Sequence, residues 1–363
     1  MSGEDAISLA TQQAQRQLLP HPSDHIIKVE VTRKLEIQVQ CSINGVDHWF
    51  CWKDGELNPL HPWEDRKLAL AALLVDPEFR KNLSVLAYRP GKRITLLEYG
   101  SRRPRVLKGV RKGRLSRLVQ NYELANHALG GGIVAPEVLD CDDSLEMLYM
   151  SVVEGESLRI YQNGHEFFQL VGHAFRDFQD FPALEHTETF TAEEELSVIE
   201  NRAQRLEMVG ATLPGGWSGL RDRLARNLVN LPPAQLCLAH RDLHDGQFVQ
   251  RTNSLALIDF DLLTRADSTL DIANFLAHLT LRELQQARGV SKQLADDVGM
   301  SLLTGLGRNA DPGFWPRLRY YEATTFARLA LVYLVRPRWR HVVPDLVTLS
   351  QRCLDDFEKF MEF

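Results

Sequence analysis

The sequence predicts an α+β protein of two lobes, a small β-rich one followed by a larger, mainly helical one, with an N-terminal extension ahead of both. Three observations predict it. Short strand-forming runs crowd the region from about 83 to 153 around a single helical stretch. From Ser157 onward, apolar residues recur at helical spacing through seven successive stretches. At 363 residues and 44% hydrophobic, the chain is long enough to bury a core in each lobe.

Residues 6–19, rich in Gln and Ala, read as a short helix ended by Pro20 and Pro22. Segments 26–31 and 35–40 then alternate apolar with polar side chains. The Asn44-Gly45 turn separates them from a third strand, 48–52. Residues 64–74 return to a helical pattern. Residues 1–80 together form an N-terminal extension or small β-rich subdomain, and nothing in them names a function.

The small lobe is expected over 81–156. It has strands at 83–88, 93–99 and 105–110, joined by the turns Arg89-Pro90-Gly91-Lys92 and Gly100-Ser101-Arg102-Arg103-Pro104. A helix over 115–129 is stopped by Gly130-Gly131-Gly132, and strands at 138–140 and 147–153 follow. The helical lobe spans 157–363, with helices near 164–180, 192–209, 217–229, 270–288, 293–305, 315–335 and 344–362. Two short strands around 236–260 interrupt them.

Bulk properties exclude several classes. A net charge of -6 argues against a nucleic-acid surface. Five scattered cysteines without a C-x-x-C pair fit reduced thiols, and twelve histidines without ligand spacing give no zinc site. No apolar run of about 18 residues exists to span a membrane. The start, Met1-Ser2-Gly3-Glu4-Asp5, is acidic, unlike a signal peptide, so a cytoplasmic location is expected. Oligomeric state is not legible.

The chemistry lies in Leu238-Ala239-His240-Arg241-Asp242-Leu243-His244-Asp245-Gly246-Gln247 and in Ala256-Leu257-Ile258-Asp259-Phe260-Asp261. Two apolar strands each deliver a carboxylate, Asp242 and Asp259, with the Gln247 amide between them. That layout suits a base beside an attacking hydroxyl, with oxygen ligands for a magnesium ion on a phosphate chain.

With the strand order ahead of them, these segments resemble the catalytic and metal-binding loops of the protein-kinase-like superfamily. The closest likeness is to the aminoglycoside phosphotransferase family of small-molecule kinases. The resemblance implies a bilobal kinase-like fold and ATP-dependent phosphorylation of a hydroxyl on a sugar, aminoglycoside or amino alcohol, with Mg2+. It makes Asp242 the general base and Asp259 a metal ligand. Gln247 stands where the family usually has Asn, one methylene longer, which opens the question of one metal ion or two. Asp261 is expected to be structural. Lys108, ending a strand, and Glu123, in the following helix, resemble the kinase Lys–Glu pair that fixes the α- and β-phosphates.

The loop Arg89-Pro90-Gly91-Lys92-Arg93 after the first lobe strand lacks G-x-G-x-x-G, which leaves two readings: its basic side chains, Arg89 and Lys92 among them, contact phosphates instead, or it is an ordinary basic turn. Ser151-Val152-Val153-Glu154-Gly155-Glu156-Ser157-Leu158 resembles the hinge, where Ser151 and Val153 would meet adenine. By the same resemblance, Asp271 fastens the catalytic loop, and His244 and Asp245 order it. Acidic residues between 160 and 230, among them Glu185, Glu188 and Glu193–Glu195, fit either a cationic acceptor or a solvated helix face. Gln247 and the missing glycines motivate one alternative, a nucleotide-binding pseudokinase with a scaffolding role. A protein kinase is disfavoured, because few residues separate Asp259 from the helix at Leu270.

Overall fold

The computed structural model describes residues 6–19, 21–100, 102–182, 187–252, 254–308 and 311–362. Pro20, Ser101, Glu185 and the acidic first five residues lie outside them.

Helix α1 (Ala6–Leu18) leads into a four-stranded antiparallel meander, β1 (His25–Val31), β2 (Ile37–Ile43), β3 (Val46–Lys53) and β4 (Glu56–Leu60). The last strand goes beyond the sequence expectation. Where a helix was expected over 64–74, only the short α2 (Ala71–Leu74) and α3 (Pro77–Arg80) form after a helical turn at Pro62–Glu64. The Asp65 carboxylate takes the Lys67 N–H at 3.1 Å, closing a turn in competition with helix.

The small lobe is a second antiparallel sheet. Its strands are β5 (Leu83–Arg89), β6 (Arg93–Glu98), β7 (Arg105–Val110), then after α4 (Leu115–Ala128) and the short β8 (Ile133–Val134), β9 (Val138–Asp142) and β10 (Met147–Ser151). The spatial order is β5-β6-β7-β10-β9, so β7 is the middle strand.

After β11 (Glu156–Ser157) come α5 (His165–Asp180), α6 (Ala192–Met208) and α7 (Trp217–Leu228). A capping box starts α6: Thr191 accepts the Glu194 N–H, and Glu194 accepts the Thr191 N–H at 2.9 Å. The strands β12 (Leu236–Ala239), β13 (Phe248–Gln250), β14 (Leu255–Leu257) and β15 (Thr264–Asp267) carry the loops of interest. Helices α8 (Leu270–Leu284), α9 (Lys292–Leu306), α10 (Phe314–Tyr333) and α11 (Val343–Met361) complete the large lobe around α10, the most buried of them. Among the described residues no helix is long and apolar enough to cross a membrane.

The extension is divided between the lobes. Val29 donates its N–H to the Val335 carbonyl at 2.9 Å and Ala6 donates to Val209 at 3.2 Å. Ile26, Val29, Ile37 and Val39 share one buried core with the helical lobe. Leu68, Leu70, Ala71 and Leu74 instead join Tyr88, Ile94, Leu96 and Leu107 under the small-lobe sheet. Residues up to about 60 therefore mostly brace the large lobe, although Trp49 and Leu60 pack with the small-lobe core and Glu30 reaches the β5–β6 turn, and those from about 61 to 80 belong to the small one.

Candidate active site

Strand β12 is apolar and ends at His240, which is fully buried. The Asp242 N–H donates to His240 Nδ1 at 3.3 Å, which leaves Nε2 as the protonated nitrogen, and this donates to the Ile258 carbonyl at 2.8 Å. Arg241 adopts φ 66°, turning the chain so that Asp242 follows at the loop's outer edge. Asp271, fully buried in the first turn of α8, accepts the N–H of His240 at 2.6 Å and of Arg241 at 2.7 Å. Burial pushes its carboxyl up against the opposing pull of these bonds. The expected fastening role of Asp271 is what these contacts describe.

The rest of the loop is tied from both sides. Asp245 pairs with Arg282 at 2.9 Å, and His244 stacks on His278 with ring centroids 4.8 Å apart while accepting the Gly246 N–H. Gln247 is buried, and its amide donates to Asp242 Oδ2 at 3.4 Å. Its backbone carbonyl takes the Ile258 N–H at 3.0 Å, which brings the strand end carrying Asp259 alongside.

Asp259 stands at φ 65°, a conformation Asp tolerates better than most residues. Its carboxylate receives Lys108 Nζ at 2.8 Å and the Arg93 guanidinium at 3.2 Å. Asp261 receives both cations too and so shares the ion-pair cluster around Asp259. Burial pushes the Asp259 carboxyl up, but Lys108 and Arg93 outweigh it and hold it well below the usual carboxylate range. Lys108 is 4% exposed; burial disfavours its charge, yet Tyr122, Asp261 and Asp259 hold its pKa above the usual lysine range.

Glu123 does not hold Lys108. The buried stripe of α4 runs through Leu115, Leu118, Tyr122 and Ala125, and position 123 turns about 100° away from Tyr122 into solvent. Tyr122 takes the inward place: Lys108 Nζ lies 3.4 Å from its hydroxyl, and its ring packs edge-on against Phe260. Asn121 ties the same helix to the Asp259 turn through the Phe260 carbonyl at 2.9 Å.

Arg89 and Lys92 do not point into the cleft beside Lys108 either. Both pair with Glu30 of β1, each at 3.2 Å, and Lys28 completes the group at 2.8 Å. Burial opposes the Glu30 charge, but these three cations outweigh it and hold the carboxyl far below its usual range. Asp65 accepts the Gly91 N–H at 2.5 Å and the Tyr88 hydroxyl at 2.9 Å. Gly91 has φ 65°, so the turn needs its missing side chain. The extension thus grips the β5–β6 turn by two carboxylates, Glu30 and Asp65.

A cavity of about 350 Å³ lies between the lobes. Leu86, Thr95, Leu97 and Val106 roof it, Val249 and Ile258 floor it, and Met150–Val153 form its back edge. Lys108, Gln247 and Asp259 stand at one end. Ser151 spends its N–H on the Glu137 carbonyl and its hydroxyl on the Glu137 N–H, both at 2.9 Å. Among the described residues, the peptide groups of Val153 have no hydrogen-bond partner, so Val153 rather than Ser151 offers free backbone to a planar ligand. Gly155 adjoins the Gln250 carbonyl so closely that a Cβ would lie 2.3 Å from it, which explains the glycine after the hinge.

Tyr122 was not among the expected site residues, and Arg93 was expected only as one of the basic side chains of the β5–β6 turn. Their signal was present: Arg93, Thr95 and Leu97 alternate along β6 opposite Lys108, and Tyr122 continues the Leu115–Leu118 stripe.

The fold has close counterparts. A choline/ethanolamine kinase family protein from Mesorhizobium loti superposes with a TM-score of 0.53 over 81% of this chain and 97% of its own, at 18% identity. A choline kinase from Streptococcus pneumoniae gives 0.51 over 78% and 99%, at 13% identity. An amicoumacin kinase solved with AMP-PNP and Ca2+ gives 0.50 over 78% and 89%, at 15%. These likenesses make the fold protein-kinase-like. No curated protein sequence matches the chain. The phosphotransferase enzyme family matches residues 93–303, more than half of the chain and the whole span from Arg93 to α9, and the chain belongs to that family.

Proposed function

We propose that this protein is an ATP-dependent kinase that phosphorylates a hydroxyl of a small molecule. One observation carries the reading: Asp242, Gln247 and Asp259 converge at the end of an apolar cleft whose far edge is the free backbone at Val153. An adenine would lie between Leu97, Val106 and Val249, with its edge on Val153. Lys108, kept charged, would meet the phosphates. Asp242, at the loop's outer edge, would accept the hydroxyl proton and orient the attacking oxygen.

Asp259, Asp261 and the Gln247 amide are hard oxygen donors, and the depressed Asp259 carboxyl stays ionised at any working pH. That donor set fits Mg2+, with Gln247 and Asp259 as the protein ligands. Bound there, the ion would neutralise charge on phosphate oxygens. The amide that links Gln247 to Asp242 would keep the base aligned beside it.

The alternative, a nucleotide-binding pseudokinase, is favoured by one contact, the Arg93 guanidinium lying on both Asp259 and Asp261. ADP release across sugars, amino alcohols and aminoglycosides separates the two. In the kinase reading, Asp242→Asn lowers turnover by about 100- to 10,000-fold. Tight ATP binding with no turnover on any acceptor, wild type included, would establish the pseudokinase instead.

A further inference from the structure

A second cavity, of about 470 Å³, opens on the other side of Asp261. Arg93 and the Asp259–Asp261 pair stand at the border between the two spaces, so the cavity begins where a terminal phosphate would end. Its walls are strongly basic. Arg111 comes from just after β7, Arg114 and Arg117 from the start of α4, Arg241 from the catalytic loop, and Arg89 and Lys92 from the β5–β6 turn.

Several of these charges are uncompensated. Arg117 pairs with Glu188, and Arg89 and Lys92 share Glu30. Among the described residues, the guanidinium groups of Arg111, Arg114 and Arg241, all lining this cavity, form no salt bridge. Arg241 instead lies over the Phe190 ring, 3.3 Å from its centroid. Burial lowers the pKa of Arg241 against the opposing pull of the Glu195, Asp271 and Glu194 carboxylates.

Glu188, Glu194 and Asp261 also line the cavity, but the acidic residues of this region already have partners, Glu188 in Arg117 and Asp261 in Arg93 and Lys108. Glu195 is buried against Arg328 at 3.3 Å, Asp180 pairs with Arg308, and Glu194 caps α6.

We infer that this cavity binds an anionic group, a phosphate or carboxylate, carried by the acceptor itself, so that the acceptor is an anionic hydroxyl compound. The inference rests on the kinase reading above and narrows it. Arg241 precedes Asp242 directly in the chain, so an anion held by Arg241, Arg114 and Arg111 places the rest of the acceptor beside the base. Guanidinium forks suit the planar, bidentate recognition of phosphate and carboxylate. A quaternary ammonium acceptor such as choline would meet this field with the wrong sign.

The test uses the full chain with Mg2+ and labelled ATP. A metabolite extract is split on an anion exchanger before the reaction, and each fraction is offered as acceptor, with hexose 6-phosphate, free hexose and choline as defined probes. Acceptor activity is expected in the retained, anionic fraction. Inorganic phosphate should compete with the acceptor. Arg114→Gln and Arg111→Gln should each raise the acceptor KM by about 10-fold or more, with kcat within about 2-fold, since a charge-assisted bond is lost from binding alone. Turnover confined to the unretained fraction, to hexose or to choline, indifferent to both substitutions, would overturn the inference and leave the kinase reading standing. No labelled product from any fraction would overturn both.

Discussion

Asp271 offers the sharpest test of how this fold builds its loop. Its carboxylate is fully buried and accepts two backbone N–H groups, from His240 at 2.6 Å and Arg241 at 2.7 Å. Asp271→Ala leaves both donors without a partner in a place water does not reach. Each buried, unsatisfied group costs about 1–3 kcal/mol, so the loss is about 2–6 kcal/mol. Against a typical total of about 5–15 kcal/mol, that is a large share. Asp271→Asn keeps one acceptor oxygen and sets its NH2 against the second donor, so about half the penalty is expected. Urea unfolding followed by circular dichroism measures both. ADP release should fall in step, because Arg241 and Asp242 lose their anchor. Should the alanine variant cost less than about 0.5 kcal/mol, within the range of an ordinary surface change, the anchoring argument is wrong.

Three further outcomes follow from the geometry. Asp259→Ala should abolish Mg2+-dependent nucleotide binding; an unchanged affinity for Mg2+·ATP by calorimetry would remove Asp259 from the metal site. Glu30→Gln breaks the grip on Arg89, Lys92 and Lys28, and because the first two side chains are over a third exposed, the loss should be only about 1 kcal/mol, read from the unfolding midpoint. A loss above about 3 kcal/mol would mean the cluster behaves as a dry, buried pair. His278, buried and stacked on His244, has its pKa lowered to about 3 by burial first and by His244 second. The unfolded chain takes up this proton near 6.5 and the folded one only near 3, so stability should fall as pH drops through that window, by up to about 1.4 kcal/mol per pH unit. His278→Gln should flatten that slope, and an equal slope in both proteins would refute the assignment.

The sequence alone determined the lobe order and nearly every helix of the large lobe, because a long amphipathic stripe is a local property of the chain. It also determined the carboxylate pair, since Asp242 and Asp259 each end a short apolar run that must be buried. Tertiary structure decided what each charge faces. Glu123 and Tyr122 are neighbours in sequence, and only the packing of α4 on Phe260 turned the phenol inward and the carboxylate outward. Arg89 and Lys92 looked like phosphate contacts until β1 brought Glu30 against them from 59 and 62 residues away. The same holds for the basic cavity, assembled from the β5–β6 turn, α4 and the catalytic loop. Periodicity is written along the chain, whereas pairing between charges depends on distances that only the folded chain sets.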